Sequence, residues 1–117
     1  MGVQGGAGLG RTELPSHLRI TLEIISGLQK GRTLEITDSC MTLGRCLRGI
    51  ELTDVAISRK HAVIEVYGDR GILLRDLASI NGTQVNGQLI AQAQLKDGDV
   101  VRMGTTEFRV QVQSKPS

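Results

Sequence analysis

Aromatic residues are almost missing from this chain, whose 117 residues include one Tyr, one Phe and no Trp. Sequence-tolerant binding of single-stranded nucleic acid relies on stacking bases against aromatic rings, so it is disfavoured here. The formal net charge of +2 is too small to imply nucleic-acid binding by itself. Cysteine is scarce as well. Cys40 and Cys46 are not spaced as a Cys-x-x-Cys pair, and only His17 and His61 could join them. A structural zinc ion needs about four ligands, commonly in close pairs, so neither a metal nor any other cofactor is expected. No apolar run approaches the roughly 20 residues of a membrane-spanning helix. A signal-peptide core is also lacking, and Gly6 stands where a myristoylation signal beginning at Gly2 would carry Ser or Thr. These absences predict an intracellular, monomeric protein with no membrane or direct nucleic-acid partner, its cysteines reduced and partly buried.

What the chain has is glycine, 15 residues of it, in two different settings. The first 18 residues are Gly-rich without helical or strand periodicity and read as a flexible segment. Residues 114–117 read as a tail, which leaves one domain over 19–113, a common size for a single hydrophobic core. Inside it, Gly, Asn and Asp punctuate short apolar runs. Ile20, Leu22 and Ile24 alternate with polar neighbours, as do Phe108, Val110 and Val112, and this period of two predicts half-buried strands. Further strands are expected at 34–36, 41–45, 50–52, 61–67, 71–77 and 99–103, with tight turns at Asn81-Gly82, Asn86-Gly87 and Asp97-Gly98. No window supports a long amphipathic helix. The residues predict an all-β sandwich.

Three loop segments carry the candidate chemistry: Leu43-Gly44-Arg45, then Ile57-Ser58-Arg59-Lys60-His61, then Ser79-Ile80-Asn81-Gly82 followed by Asn86-Gly87. Singly, each has a plainer explanation, Arg45 as a solvated cation, Ser58 as a turn residue and Asn81 as a φ-tolerant one. In order and spacing together, they resemble the forkhead-associated family, whose pattern is Gly-Arg, Ser-x-x-His, Ser-x-Asn-Gly and a nearby Asn-Gly. The resemblance extends from about Ile20 to Val112.

The resemblance implies an eleven-stranded β-sandwich whose loops at one end hold a phosphothreonine in a partner protein, in phosphorylation-dependent signalling. Such a ligand carries about −1.5 to −2 charge at pH 7 and three acceptor oxygens. Arg45 would supply a planar fork able to hold two of them, Ser58 a compact hydroxyl donor, and Arg59 a second cation or its backbone N–H. Asn81 would hold the ligand's main chain, while His61 would brace the loop. Gly44, Gly82 and Gly87, with Asn86, would support the loops' backbone conformations. Arg48 and Arg70 read as solvated charges, Arg48 standing near enough to Arg45 in sequence to reach the ligand's edge.

Two positions depart from the pattern. Ile80 stands where the family often has a Thr, Ser, Lys or Arg that adds a phosphate contact, and Ser79 is the candidate to compensate. Ala56, two residues before Ser58, implies a small or apolar preference at the ligand's third residue after the phosphothreonine. Two rival functions remain open. One is a scaffold that binds a partner or itself without phosphate. The other is a hydrolase built on Ser58, His61 and Asp54, although no Gly-x-Ser-x-Gly elbow accompanies them. A phosphatase loop at Cys40–Arg45 has four intervening residues where five are needed.

Overall fold

A computed structural model describes residue 14 and residues 17–45 and 50–114. The expectations for most of the Gly-rich segment, for Cys46 and Arg48, and for the last three residues lie outside the described residues. In chain order the strands are β1 (Leu18–Ser26), β2 (Thr33–Glu35), β3 (Cys40–Gly44), β4 (Ile50–Glu51), β5 (Ala62–Val66), β6 (Ile72–Asp76), β7 (Thr83–Val85), β8 (Gln88–Ile90), β9 (Gln92–Leu95), β10 (Val100–Met103) and β11 (Thr106–Ser114). One 3₁₀ turn, Gly68–Arg70, lies between β5 and β6.

The strands form two sheets, β9-β6-β5-β3-β4 and β2-β1-β11-β10-β7-β8. Pairing is antiparallel except between β3 and β4, where Leu43 and Gly44 lie in parallel register with Ile50 and Glu51. The inner faces follow the period of two. Ala62, Ile64 and Val66 of β5 are buried while Val63 and Glu65 are only half-buried, and across the core Ile20, Leu22, Ile24, Phe108 and Val110 are buried too. Alternate side chains of a strand point to opposite faces, so each sheet offers one apolar face to the other. Each fully buried Leu, Ile or Phe stabilises the sandwich by about 1.5–3 kcal/mol.

Three expectations change. Leu18 and Ser114, expected just outside the domain, are paired with one another at the ends of β1 and β11. Cys40 is exposed rather than partly buried, because β3 points it away from the core. Asn81-Gly82 is no two-residue hairpin turn: only Gly82 has a positive φ (83°), and the pair ends a longer β6–β7 connection that crosses from one sheet to the other. Asn86-Gly87 does form such a turn, with φ of 51° and 86° at the two residues, between β7 and β8.

Candidate functional site

The strands β3, β5 and β6 lie side by side, so the β3–β4, β4–β5 and β6–β7 connections gather at one end of the sandwich. Backbone bonds begin the assembly. The Arg45 N–H donates to the Ser58 carbonyl (3.2 Å), the His61 N–H to Leu43 (2.9 Å) and the Leu77 N–H to His61 (2.9 Å). Gly44 is where the first two loops meet. The Arg59 carbonyl occupies the space a Cβ on Gly44 would take, and the Ser58 carbonyl oxygen is 2.8 Å from that position. Close approach, not a left-handed φ, is the reason for glycine here.

Each polar side chain then has a defined task. Arg45 Nε donates to the Ile57 carbonyl at 2.6 Å, which orients the guanidinium, and among the described residues its two terminal nitrogens have no partner, on a residue that is exposed. Ser58 Oγ accepts the Ile80 N–H (3.1 Å), so its own proton remains available for a further acceptor. Arg59 is exposed beside it. Asn81 Nδ2 donates to the Ala56 carbonyl (2.7 Å), leaving its Oδ1 and second N–H for other partners.

Beneath this surface lies His61, fully buried. Its Nδ1 accepts the Ser58 N–H (3.1 Å), so the ring proton sits on Nε2 and is donated to the Gly82 carbonyl (2.8 Å). One imidazole thus ties the β4–β5 loop to the β6–β7 loop. Because both ring nitrogens face backbone groups, the imidazole is not a base for the Ser58 hydroxyl. Asp54, the third member of the suspected hydrolytic set, points elsewhere: it accepts from Ala56 N (2.8 Å), Thr105 N (2.7 Å), Thr105 Oγ1 (2.6 Å) and Thr106 Oγ1 (3.0 Å). The three residues form no nucleophile–base–acid chain.

Ser79 is the site residue whose placement differs most from expectation. Its hydroxyl donates to Asp76 Oδ1 (2.6 Å) and accepts the Gly82 N–H (3.0 Å). The single O–H is therefore committed inside the loop and does not compensate for Ile80 as a phosphate donor. Ala78, with φ of +56°, turns the chain at this point, a conformation uncommon for a residue with a Cβ. Asn86 and Gly87 stand at the far end of β7 from Gly82. Asn86 bonds Asp99 (3.0 Å) and the Val100 N–H (2.9 Å), supporting β10 rather than the ligand loops.

Two carboxylates missed as scaffold by sequence reasoning, Asp54 and Asp76, anchor these loops. Burial is the largest influence on each and opposes ionisation. For Asp54, bonds from Thr105, Ala56 and Thr106 together outweigh it, and for Asp76, bonds from Ser79 and Thr83 contribute most to doing so. Both pKa values end below the ordinary carboxylate value of 3.8. A carboxyl whose folded pKa is depressed contributes stability above its unfolded value and loses it as pH falls through the folded one. Denaturant midpoints should hold steady down to about pH 5 and fall below about pH 4. In Asp54→Asn the fall should be shallower and the gap to wild type should narrow with acid. Parallel pH profiles for the two proteins would remove Asp54 from this account.

The FHA domain model covers residues 41–104 of the chain. This chain belongs to the FHA family. Among relatives, the domain is 37% identical over 94 residues to the FHA domain-containing protein FhaA of Mycobacterium tuberculosis, covering 80% of this chain and 17% of FhaA. The chain therefore spans about a sixth of that relative's length. A structure solved in a study of phosphothreonine-dependent FHA domain interactions superposes with a TM-score of 0.71 at 35% identity, over 80% of this chain and 95% of that one. The solution structure of an Arabidopsis thaliana FHA domain gives 0.78 at 28% identity, over 99% and 98% of the two chains.

Proposed function

We propose that this FHA domain binds phosphothreonine in a partner protein, and that Arg45, Ser58 and Arg59 receive the phosphate while Asn81 holds the adjacent main chain. The observation that carries this reading is the state of the donors. Among the described residues Arg45 is fixed through Nε with no partner on its terminal nitrogens, and the Ser58 oxygen accepts one bond with no acceptor for its own proton. A dianionic group with three acceptor oxygens suits that set, because charge-assisted bonds from a preoriented guanidinium are roughly twice as strong as neutral ones. Asn81, tied to Ala56 by one N–H, still offers a donor and an acceptor to a peptide unit. Gly44, His61 and Gly82 act through these residues by holding the loops together.

The test is titration of one peptide in threonine, phosphothreonine and phosphoserine forms. Binding should need the phosphate and should weaken at high salt, where Coulombic attraction is screened. Equal affinity for the threonine and phosphothreonine forms would establish phosphate-independent scaffolding instead. The phosphoserine form reports whether the threonine methyl is sensed.

A further inference from the structure

Two aliphatic side chains are left in water beside Asn81: Ile80 is 89% exposed and Leu89 71%. They line one open groove of about 480 Å³ between the β6–β7 loop and β8, together with Asn81, Ile90, Asp76 and Ser79. Asn81, the proposed main-chain anchor, is itself one of the residues that line the groove. Its polar walls are paired with one another. Asp76 Oδ1 accepts from Ser79 Oγ (2.6 Å) and Thr83 Oγ1 (2.7 Å), and Asp76 Oδ2 from the Ser79 N–H (3.1 Å). The shelf is also held in place. Ile80 N–H is bonded to Ser58, Asn81 to Ala56 and the Gly82 N–H to Ser79, so the residue bearing the exposed Ile side chain is pinned by the bonds of its neighbours and its own. Leu89 lies over the loop's backbone, its Cδ1 2.6 Å from where a Gly82 Cβ would stand.

We infer that Ile80 and Leu89 form a fixed aliphatic shelf that selects phosphothreonine peptides carrying a Leu-, Ile- or Val-type side chain close to the phosphothreonine. The inference rests on the proposed phosphopeptide reading and adds to it the chemical class of the neighbouring residue. Water leaves two exposed aliphatic surfaces and the ligand's own side chain when they meet, and the loop is already ordered, so little conformational entropy opposes contact. The same Ile80 that lacks a polar side chain for the phosphate thereby contributes to recognition of the sequence around it.

The experiment is a set of phosphothreonine peptides in which each of the three positions on either side is Leu, Ala, Asp or Lys in turn, measured with the wild-type domain, Ile80→Ala and Leu89→Ala. Both altered side chains are exposed, so the fold should tolerate the changes. One position should favour Leu over Ala by about tenfold, and each variant should bring that ratio towards unity. No Leu preference at any position, a preference for Lys or Asp in its place, or a preference that both variants retain would overturn the inference while leaving phosphothreonine dependence intact. A concentration-dependent dimer abolished by Ile80→Ala would assign the shelf to a second copy of this chain and also overturn it. If the phosphorylated and unphosphorylated peptides bind alike, the phosphopeptide reading itself fails and the shelf inference falls with it.

Discussion

Arg45→Ala is expected to weaken binding of a phosphothreonine peptide by about 2–5 kcal/mol, roughly 30-fold or more in affinity. Removing the guanidinium takes away its two terminal donor groups and leaves the phosphate in the same loop cluster with one cation fewer. Position matters as much as charge. Nε is held by the Ile57 carbonyl at 2.6 Å, so the fork's plane is set before the ligand arrives. Arg45→Lys keeps the charge but loses both the fork and that tether, and should recover only part of the affinity. Folding should be little changed in either variant, since Arg45 is exposed and its side chain makes one bond to the described residues. Titration with the phosphothreonine peptide beside a thermal melt checks both halves. Wild-type affinity in Arg45→Ala would remove this residue from the phosphate site.

Gly44→Ala should have the largest effect on stability, about 3 kcal/mol, with a melting temperature lowered by roughly 10 °C or more. The added methyl has nowhere to go, because the group in its place is the backbone of Arg59 and not the end of a flexible side chain. To admit it, the segment containing Ser58 and Arg59 must move away from β3. That motion breaks the bonds from Arg45 to the Ser58 and Ile57 carbonyls and draws Ser58 away from Ile80. Binding should therefore be lost along with stability, although the methyl never touches the ligand. Gly87→Ala is the informative comparison. Nothing lies within 4 Å of its Cβ position, and only its φ of +86° opposes the change, so about 1 kcal/mol is expected with binding retained. Similar melting curves for the two variants would show that close approach at Gly44 is not what the site depends on.

The sandwich was legible in sequence where a strand has a buried face. Ile20, Leu22 and Ile24, like Phe108 and Val110, alternate because one side of each strand meets the core. Residues 88–95 carried no such signal: β8 and β9 are edge strands of their respective sheets, and apart from Leu95 their residues are exposed or half-buried. Asn86-Gly87 announced its turn because two consecutive positive φ angles favour that pair. The candidate ligand residues could be picked out by type and order, since a phosphate calls for a guanidinium fork and a short hydroxyl whatever the fold.

The tertiary structure decided how those residues are held and which ones are available. Many of the bonds are made to backbone atoms, the carbonyls of Ile57, Ala56 and Gly82 and the N–H groups of Ser58 and Ile80, which every residue but proline presents alike and which no sequence pattern can rank. Ser79 and Ser58 are both serines in candidate loops. One donates its proton to Asp76 and the other keeps it available, a difference set by Ala78's positive φ and by which loop each faces. Asp54 bonds Thr105 and Thr106 more than 50 residues away, so its role as an anchor existed only once β10 and β11 had closed over the loops. The residue types determined what kind of ligand the loops could receive, and long-range packing determined which donors were left to receive it.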